Sequence, residues 1–307
     1  MSSFALWFET ESGENERFCA DVHFNLWNLH GHRNYFPCLD VGIKIVSPEY
    51  YSKVFFYIPW EINSTDFQDL GKSLKTSELL CAVFNEDYKM LQNAQSKIVC
   101  AENNAAKMNI YCLDVENDVS FFNSYGGTVV SFDRPKQLIG SHDTEYYRFR
   151  IGGKCLKNII KSYNPRNILL QSAISTTEAI DFRFNDYRSL PLSLLEIMQE
   201  GKKYQIGKVH FFLIVEPDVD LIYSSTIPMA RELEKDIWER YYEDVGQENV
   251  VAYHWKFKSE DAQNRIENCI MFVKARIHVC NWKTIISYII CAGGLAVVYN
   301  FLSHLLF

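Results

Sequence analysis

The sequence predicts an α+β protein in which a body with a mixed, largely antiparallel sheet is followed by a single C-terminal transmembrane helix. Segments in which apolar and polar residues alternate recur along the chain and indicate strands. The composition, 48% hydrophobic and 15% aromatic, is sufficient for a large core. No charged residue occurs from Thr284 to Phe307, which indicates a helix that leaves the body and crosses a bilayer.

The alternating segments predict the strands of the body. From Phe18 to Leu26 every second residue is apolar, which is the period of a half-buried strand. Together with LDVGIKIVS and KVFFYIPWEI, this segment predicts an antiparallel meander. Further strands are predicted in MNIYCLDVE, GGTVVSFD, TEYYRFRIG, IDFRF, KVHFFLIV, VVAYHWKFK and CIMFVKARIHV.

Three segments have the longer apolar spacing of helices. One lies between Asp66 and Ala101. A second, LSLLEIMQEGKK, has Pro191 before its first turn and Gly201 at the position of a C-cap. The third, PMARELEKDIWERYYEDV, predicts an amphipathic helix.

The body shows no Gly/Ser-rich or Pro-rich linker, and a boundary between its two parts is expected near residues 136–160. These are a β-rich part at residues 1–140 and an α+β part at residues 141–282, followed by the transmembrane segment at residues 283–307. The formal net charge of −7 argues against general binding of nucleic acids, which requires a basic surface.

The nine cysteines are scattered and never form C-x-x-C, so neither a disulfide framework nor a zinc site is predicted. The simplest interpretation is that they are reduced thiols in a cytosolic body. We expect no cofactor and no metal. The acidic N-terminus, MSSFALWFETESGENERF, lacks the basic and apolar regions of an export signal.

The C-terminal segment predicts both an anchor and its orientation. A helix from Thr284 to Phe307 would extend about 36 Å at ~1.5 Å per residue, enough to cross a hydrocarbon core of about 30 Å. Basic residues precede the span, at Lys274, Arg276 and Lys283, and none follows it. By the positive-inside rule the body lies in the cytoplasm, and the chain is expected to be a single-pass, tail-anchored membrane protein.

The tail also carries a stripe of small and polar residues on one helical face. Gly293, with Gly294 beside it, would let a partner helix approach closely, and Asn300 and His304 could form hydrogen bonds across that contact. This pattern predicts self-association. The alternative is that Asn300 and His304 lie near the far interface and reach headgroup water.

Two groups of side chains are candidates for ligand binding. The loop HGHRNYF offers His30, His32 and Arg33, and a solvated turn is the simpler explanation for it. Arginines interleaved with aromatic residues, at Arg148 and Arg150 and again at Arg183, could bind a flat anion. The simpler explanation is a charged outer strand face, with Arg150 and Asp181 as cross-strand partners.

Catalytic signatures are missing from the sequence: it contains no G-x-S-x-G, no G-x-x-x-x-G-K-[ST] and no G-x-G-x-x-G. We therefore expect a membrane-anchored binding protein whose partners are the bilayer, a protein or an anionic ligand, and other copies of its own tail. The layout resembles that of bacterial defence effectors that join a sensing domain to a membrane helix, which implies an oligomerising effector that perturbs the membrane. The alternative is a membrane-tethered hydrolase or nuclease with its active site at the loop of His30 and His32 or at the arginine and aromatic strands.

Overall fold

The computed structural model describes residues 2–10, 18–30, 36–46, 50–92, 98–103, 106–135, 144–163, 175–199, 204–242, 249–258, 266–278 and 282–306. These residues form an α+β body with largely antiparallel sheets and one C-terminal apolar helix. The strands are β1 (Ala5–Thr10), β2 (Phe18–Trp27), β3 (Cys38–Val46), β4 (Tyr51–Ile58), β5 (Phe67–Asp69), β6 (Lys89–Gln92), β7 (Ile98–Asn103), β8 (Ala106–Tyr111), β9 (Val119–Ser124), β10 (Gly127–Asp133), β11 (Thr144–Ile151), β12 (Ile160–Tyr163), β13 (Ser175–Phe184), β14 (Tyr204–Val215), β15 (Asp220–Ser224), β16 (Met229–Glu232), β17 (Val251–Lys258) and β18 (Cys269–His278). The helices are α1 (Ser77–Phe84), α2 (Leu192–Gln199), α3 (Lys235–Tyr241) and α4 (Trp282–Leu306).

The largest sheet has ten strands, in the order β16-β17-β14-β2-β3-β11-β8-β7-β6, with β5 paired to the end of β11. Its strands come from both sides of residue 140. Two pairs are parallel, β2 with β14 and β8 with β11, and the others are antiparallel. The prediction of a mixed, largely antiparallel sheet is confirmed.

Two four-stranded sheets pack as a second layer against the large one. Their orders are β1-β4-β10-β9 and β12-β13-β18-β15. A parallel bridge between Phe4 and Phe184 joins them: Phe4 N–H donates to the Arg183 carbonyl at 2.9 Å, and Asn185 N–H donates to the Phe4 carbonyl at 2.8 Å. The bridge connects the two small sheets to each other within the second layer.

Aromatic side chains fill the space between the layers. Phe182 lies between Phe24 and Phe211, with ring centroids 4.7 and 4.6 Å away, and Phe56 meets Phe149 at 5.5 Å. All five are buried, as every second residue of their strands should be when one sheet face packs against another.

Three sequence-based assignments are wrong in part. β4 does not continue the meander of β2 and β3, because it pairs with β1 and β10 in the opposite layer. In the described part of the helix-compatible region after Asp66, α1 is the one α-helix, and β5, β6 and the start of β7 occupy much of the rest. The predicted long helix is divided, since Met229–Glu232 forms an edge strand beside β17 and α3 begins only at Lys235. Apolar alternation specifies that a face is buried, and it does not specify the hydrogen-bonded neighbour.

Two short helices, α1 and α3, cover the other face of the large sheet. α1 begins where the Thr76 side chain accepts a hydrogen bond from Leu79 N–H, and it ends at Asn85, which has the left-handed conformation of a C-cap. Its Phe84 ring lies 4.8 Å from that of Tyr146 on β11. α3 covers the neighbouring region and contacts α1. The central strands are therefore buried on both faces.

The C-terminal helix is confirmed as long and apolar enough to cross a membrane. It contains 25 residues, and the span Ile285–Ser303 makes no buried contact with the described part of the body. It follows β18, as the sequence predicts.

Candidate functional site

Arg148 and Arg150 lie together beneath α3 and converge on one carboxylate. Asp40, on the adjacent strand β3, accepts hydrogen bonds from Arg150 Nε at 2.6 Å and from Arg150 Nη2 at 3.0 Å. Arg148 Nη2 lies 3.8 Å from the same carboxylate. The pair Arg150 and Asp40 are directly opposite in the antiparallel register, so the sheet itself brings them together.

Aromatic groups complete this cluster. Asp40 also accepts from Trp27 Nε1 at 2.8 Å and from the Tyr241 hydroxyl at 2.9 Å, while that hydroxyl accepts from Arg148 Nε at 2.5 Å. The Arg150 guanidinium lies 4.3 Å from the centroid of the Tyr242 ring. These contacts attach the end of α3 to the sheet.

The electrostatics favour a fixed ion cluster. Burial alone would raise the pKa of Asp40, but the charge and hydrogen bonds of Arg150, followed by the charge of Arg148, hold it below its usual value. Arg148 is 1% exposed and Asp40 fully buried. The arrangement can fix the register of β3 and β11 and hold α3 against them. A ligand could reach Arg148 only after α3 moved.

Arg183 lies apart from that pair, on β13 in the second layer. It donates to Asp181 at 3.0 and 3.1 Å and to Asp186 at 3.1 Å. The expected pairing of Arg150 with Asp181 is therefore wrong, because each of the two has a nearer partner of opposite charge on its own sheet. The three candidate arginines do not form one site.

His30 is held between two carboxylates at the end of the sandwich. It follows β2, and its ring nitrogens lie 3.3 Å from Glu178 of β13 and 3.6 Å from Glu216, which follows β14. The His30 backbone N–H also donates to Glu216. Glu178 accepts further hydrogen bonds from Asn28 at 2.7 Å and from Ser162 at 3.0 Å. Three chain segments thus meet at one side chain.

This environment keeps His30 charged. Burial by itself would lower the pKa of the ring, but the hydrogen bonds and charges of Glu178 and Glu216 raise it to about 9. The same contacts lower the pKa of Glu178. A histidine that is protonated at neutral pH is an ion-pair partner and cannot accept a proton as a general base. His32 and Arg33 lie outside the described residues.

Metal binding has no support in the described part of the chain, where no group of three or more His, Cys, Asp or Glu side chains is arranged to hold an ion. At the His30 cluster the ring nitrogens contact the carboxylates directly.

Two clusters of polar side chains escaped the sequence analysis. At the start of β11, Glu145 accepts from the hydroxyls of Tyr51 and Tyr111 and from Arg134 Nε at 3.0 Å, and the Tyr51 hydroxyl lies 2.8 Å from that of Tyr147. Glu145 is 1% exposed, and its position on the apolar face of the TEYYRFRIG strand was the available signal. A buried carboxylate on such a face requires partners.

The second is a row of histidines across the large sheet. His23, His210 and His254 lie on three adjacent strands, with His210 Nδ1 3.0 Å from His254 Nε2 and the rings of His23 and His210 5.0 Å apart. Burial, followed by neighbouring positive charges, lowers the pKa of His210 to about 3 and that of His254 to about 4. These histidines are neutral at pH 7, and only the strand pairing brings them together.

An aromatic groove of about 520 Å³ lies on the outer face of β1 and β4 beside α2. Trp7 and Phe55 stack in it with ring centroids 5.2 Å apart, and Phe122 and Ile197 form part of its rim. Its residues come from four separate segments of the chain, and no local pattern identified them.

The predicted association residues lie on α4 as expected. Gly293 and Gly294 have no atoms within 4 Å of the position that a Cβ would take, so both are open to a partner helix. Asn300 lies two turns further along and is exposed, and His304 is in the last turns of α4.

Comparison with known proteins adds no assignment: no model of a protein family matches this chain, and a search of curated proteins finds no match to it either.

Proposed function

We propose that this chain is a membrane-anchored binding protein, in which the sheet body lies on the cytoplasmic side and binds a protein partner while α4 holds the complex at the bilayer. One observation carries the proposal. The span Ile285–Ser303 is apolar on almost all sides, carries no charge and is unburied, with Ile290 and Leu295 67% and 71% exposed. Each such side chain gains about 1.5–3 kcal/mol on leaving water, so a bilayer is the favoured environment.

The flanking charges support the orientation. Lys274 and Arg276 are exposed on β18, and Lys283 precedes the apolar span. The residues after Lys283 include no arginine or lysine. Basic residues on one side of a span favour the cytoplasmic location of that side.

The described sites favour binding over catalysis. His30 has its pKa raised to about 9, which leaves it protonated at pH 7 and argues against a hydrolase that uses it as a base. Arg148 and Arg150 share the buried Asp40, and Arg183 contacts two carboxylates, so a small anion would have to displace existing partners. A protein partner is therefore better supported than a free anion.

Self-association of α4 forms the second half of the proposal. Gly293 allows close approach of two helices, and Asn300 on the same face supplies a hydrogen bond in a medium without water. Clusters of such helices would localise several bodies together and perturb the bilayer.

Fractionation of cells that express the full chain tests the anchor. The intact chain is expected in the membrane pellet after alkaline carbonate extraction, and a chain without residues 283–307 in the supernatant. Protease added outside sealed inverted vesicles should digest the body. A fully soluble intact chain would refute the anchor, and a body protected in inverted vesicles would refute the cytoplasmic orientation.

Crosslinking in native membranes tests the association. Gly293→Leu and Asn300→Leu together should reduce crosslinked oligomers several-fold, whereas Cys291→Leu, on the opposite face of α4, should not. An equal loss of crosslinked oligomers in the double variant and in Cys291→Leu would mean that added side-chain volume anywhere on α4 disrupts assembly, and that the face of Gly293 and Asn300 has no special role. Binding of a protein partner by the body is tested by exchanging α4 for an unrelated transmembrane span. The body should crosslink to the same proteins in both chains.

A further inference from the structure

The outer face of the sheet β12-β13-β18-β15 is basic close to the membrane helix. On β18 the exposed residues alternate with buried ones and include Lys274, Arg276 and His278. On β12, Lys161 is exposed and Tyr163 is 54% exposed. These side chains point away from the core.

The register of the sheet places them on one surface. Lys161 and Lys274 both lie opposite Ala179 on β13, one on each side of it, and Tyr163 and Arg276 likewise flank Thr177. Paired residues of neighbouring strands point to the same face of a sheet. We call Lys161, Tyr163, Lys274 and Arg276 the basic sheet face.

The neighbours of this face do not cancel its charge. Tyr223 of β15 lies opposite Lys274 and is 54% exposed. Asp220, opposite Arg276, is an acidic neighbour, and its carboxylate lies 3.5 Å from His278. Asp181, two residues beyond Ala179 on the same face, is paired with Arg183 at 3.0 Å. Three cations and two exposed tyrosines, with Asp220 as the acidic neighbour, thus form a positive surface on a chain whose net charge is −7.

The chain holds this surface near the start of the anchor. β18 ends at His278 and α4 begins at Trp282. Arg276 is six residues before Trp282, so a fully extended connection separates their Cα atoms by about 20 Å at most. Lys283 adds a further cation at the first turn of the helix.

We propose that the basic sheet face lies on the anionic headgroups of the cytoplasmic leaflet, and that this contact holds the body in one orientation on the membrane. The proposal rests on the anchoring by α4 proposed above. Lysine and arginine close to such a leaflet are attracted by its negative surface potential, within a Debye length of about 8 Å. Tyrosines are favoured at the headgroup level. The chain as a whole carries a net charge of −7, so orientations that bring acidic surface to the anionic leaflet are disfavoured.

The opposite end of the body supplies internal controls. Lys208 of β14 is eight residues, or about 26 Å of strand, before Glu216 at the His30 cluster. Glu178, in that cluster, is opposite Ala275 of β18, next to the basic sheet face. Lys208 and its neighbour Lys258 therefore lie at the end far from the anchor, on the other layer.

Lysine acetylation of the full chain in vesicles tests the proposal. The chain is reconstituted in phosphatidylcholine alone or with phosphatidylserine, and the rate at each lysine is measured by mass spectrometry. Lys161 and Lys274 should react roughly three to ten times more slowly in the anionic vesicles, with the protection lost at high salt, while Lys208 and Lys258 change by less than about twofold.

A variant strengthens the test. Arg276→Gln alters an exposed side chain, and it should restore part of the reactivity of Lys274 in anionic vesicles. Equal rates at Lys274 in the two vesicle types would overturn the proposal, as would equal protection of Lys208. Flotation separates the two ideas: a chain that does not float with phosphatidylcholine vesicles refutes the anchor, and a chain that floats without protection refutes only the orientation.

Discussion

Replacing His30 by glutamine removes the cation that lies between Glu178 and Glu216, and its effect on stability should depend on pH. The folded protein raises the pKa of His30 from 6.5 to about 9. A raised pKa means that the folded state holds the proton more tightly than the unfolded chain. The contribution to stability is therefore complete below pH 6.5 and is lost as the pH rises to about 9.

The size of the effect follows from the same values. A tenfold change in proton affinity corresponds to about 1.4 kcal/mol, so a rise from 6.5 to about 9 gives an upper limit of about 3 kcal/mol. The His30 side chain is 28% exposed, and water weakens its ion pairs, so we expect about 2 kcal/mol.

The assay is urea unfolding of the full chain in detergent, followed by tryptophan fluorescence, for the native chain and His30→Gln. The free energy of unfolding should differ by about 2 kcal/mol at pH 6 and by a much smaller amount at pH 9.5. His278→Gln is the control, because that histidine contacts the exposed Asp220 alone among the ion pairs described, and should cost less than about 1 kcal/mol. A difference for His30→Gln that is equal at the two pH values, or larger at pH 9.5, would refute the electrostatic account.

Two further outcomes follow from the buried groups. Asp40→Asn leaves two guanidinium groups beneath α3 without their carboxylate and should lower the free energy of unfolding by about 3–5 kcal/mol in the same assay. The control is Asp133→Asn, at a carboxylate that is 79% exposed, which should change the free energy of unfolding by less than about 1 kcal/mol. Equal effects of the two substitutions would refute the role of burial. The pKa values of His210 and His254 are lowered in the folded protein, so below pH 6.5 the unfolded chain binds protons that the folded protein does not. The free energy of unfolding should therefore drop by about 1–2 kcal/mol between pH 6.5 and 5, after allowance for solvent access, and less steeply in His210→Gln. An equal free energy of unfolding at the two pH values would contradict this.

Local patterns in the sequence were sufficient for most elements of the fold. The strands β2, β11, β14, β17 and β18, together with α2 and α4, lie where alternation or helical spacing predicts them. α4 could be predicted because its property, a long run without charge, belongs to a single segment. Each of these signals needs only the neighbouring residues and no knowledge of a partner strand.

Pairing partners could not be predicted in the same way. Arg150 and Asp40 are separated by 110 residues, and they become neighbours only because β3 and β11 pair in one register. The strand TEYYRFRIG was expected to have a charged outer face, but α3, distant in sequence, covers Arg148. The alternation of side chains along a strand is the same whether the outer face of the sheet is covered by water or by a helix.

The His30 cluster shows the same limit. HGHRNYF was singled out as a candidate ligand-binding loop, but the partners of His30 are distant in sequence: Glu178 is on β13 and Glu216 follows β14, and both have ordinary surroundings in the sequence. Whether a histidine is a base, a ligand or a buried cation is decided by such partners. The residue could be predicted, and its protonation could not.

The parallel pairing of β2 with β14 has a consequence for biosynthesis. β2 is complete at Trp27, yet its partner strand ends at Val215, about 190 residues later. At ~5–20 residues per second, the ribosome needs roughly 10 to 40 s to supply that partner. Until then, the nascent hairpin of β2 and β3 has an uncovered edge and an apolar face, the features that promote aggregation. Chaperone binding to the growing chain should therefore be greatest before residue 215 emerges and should fall once β14 has docked.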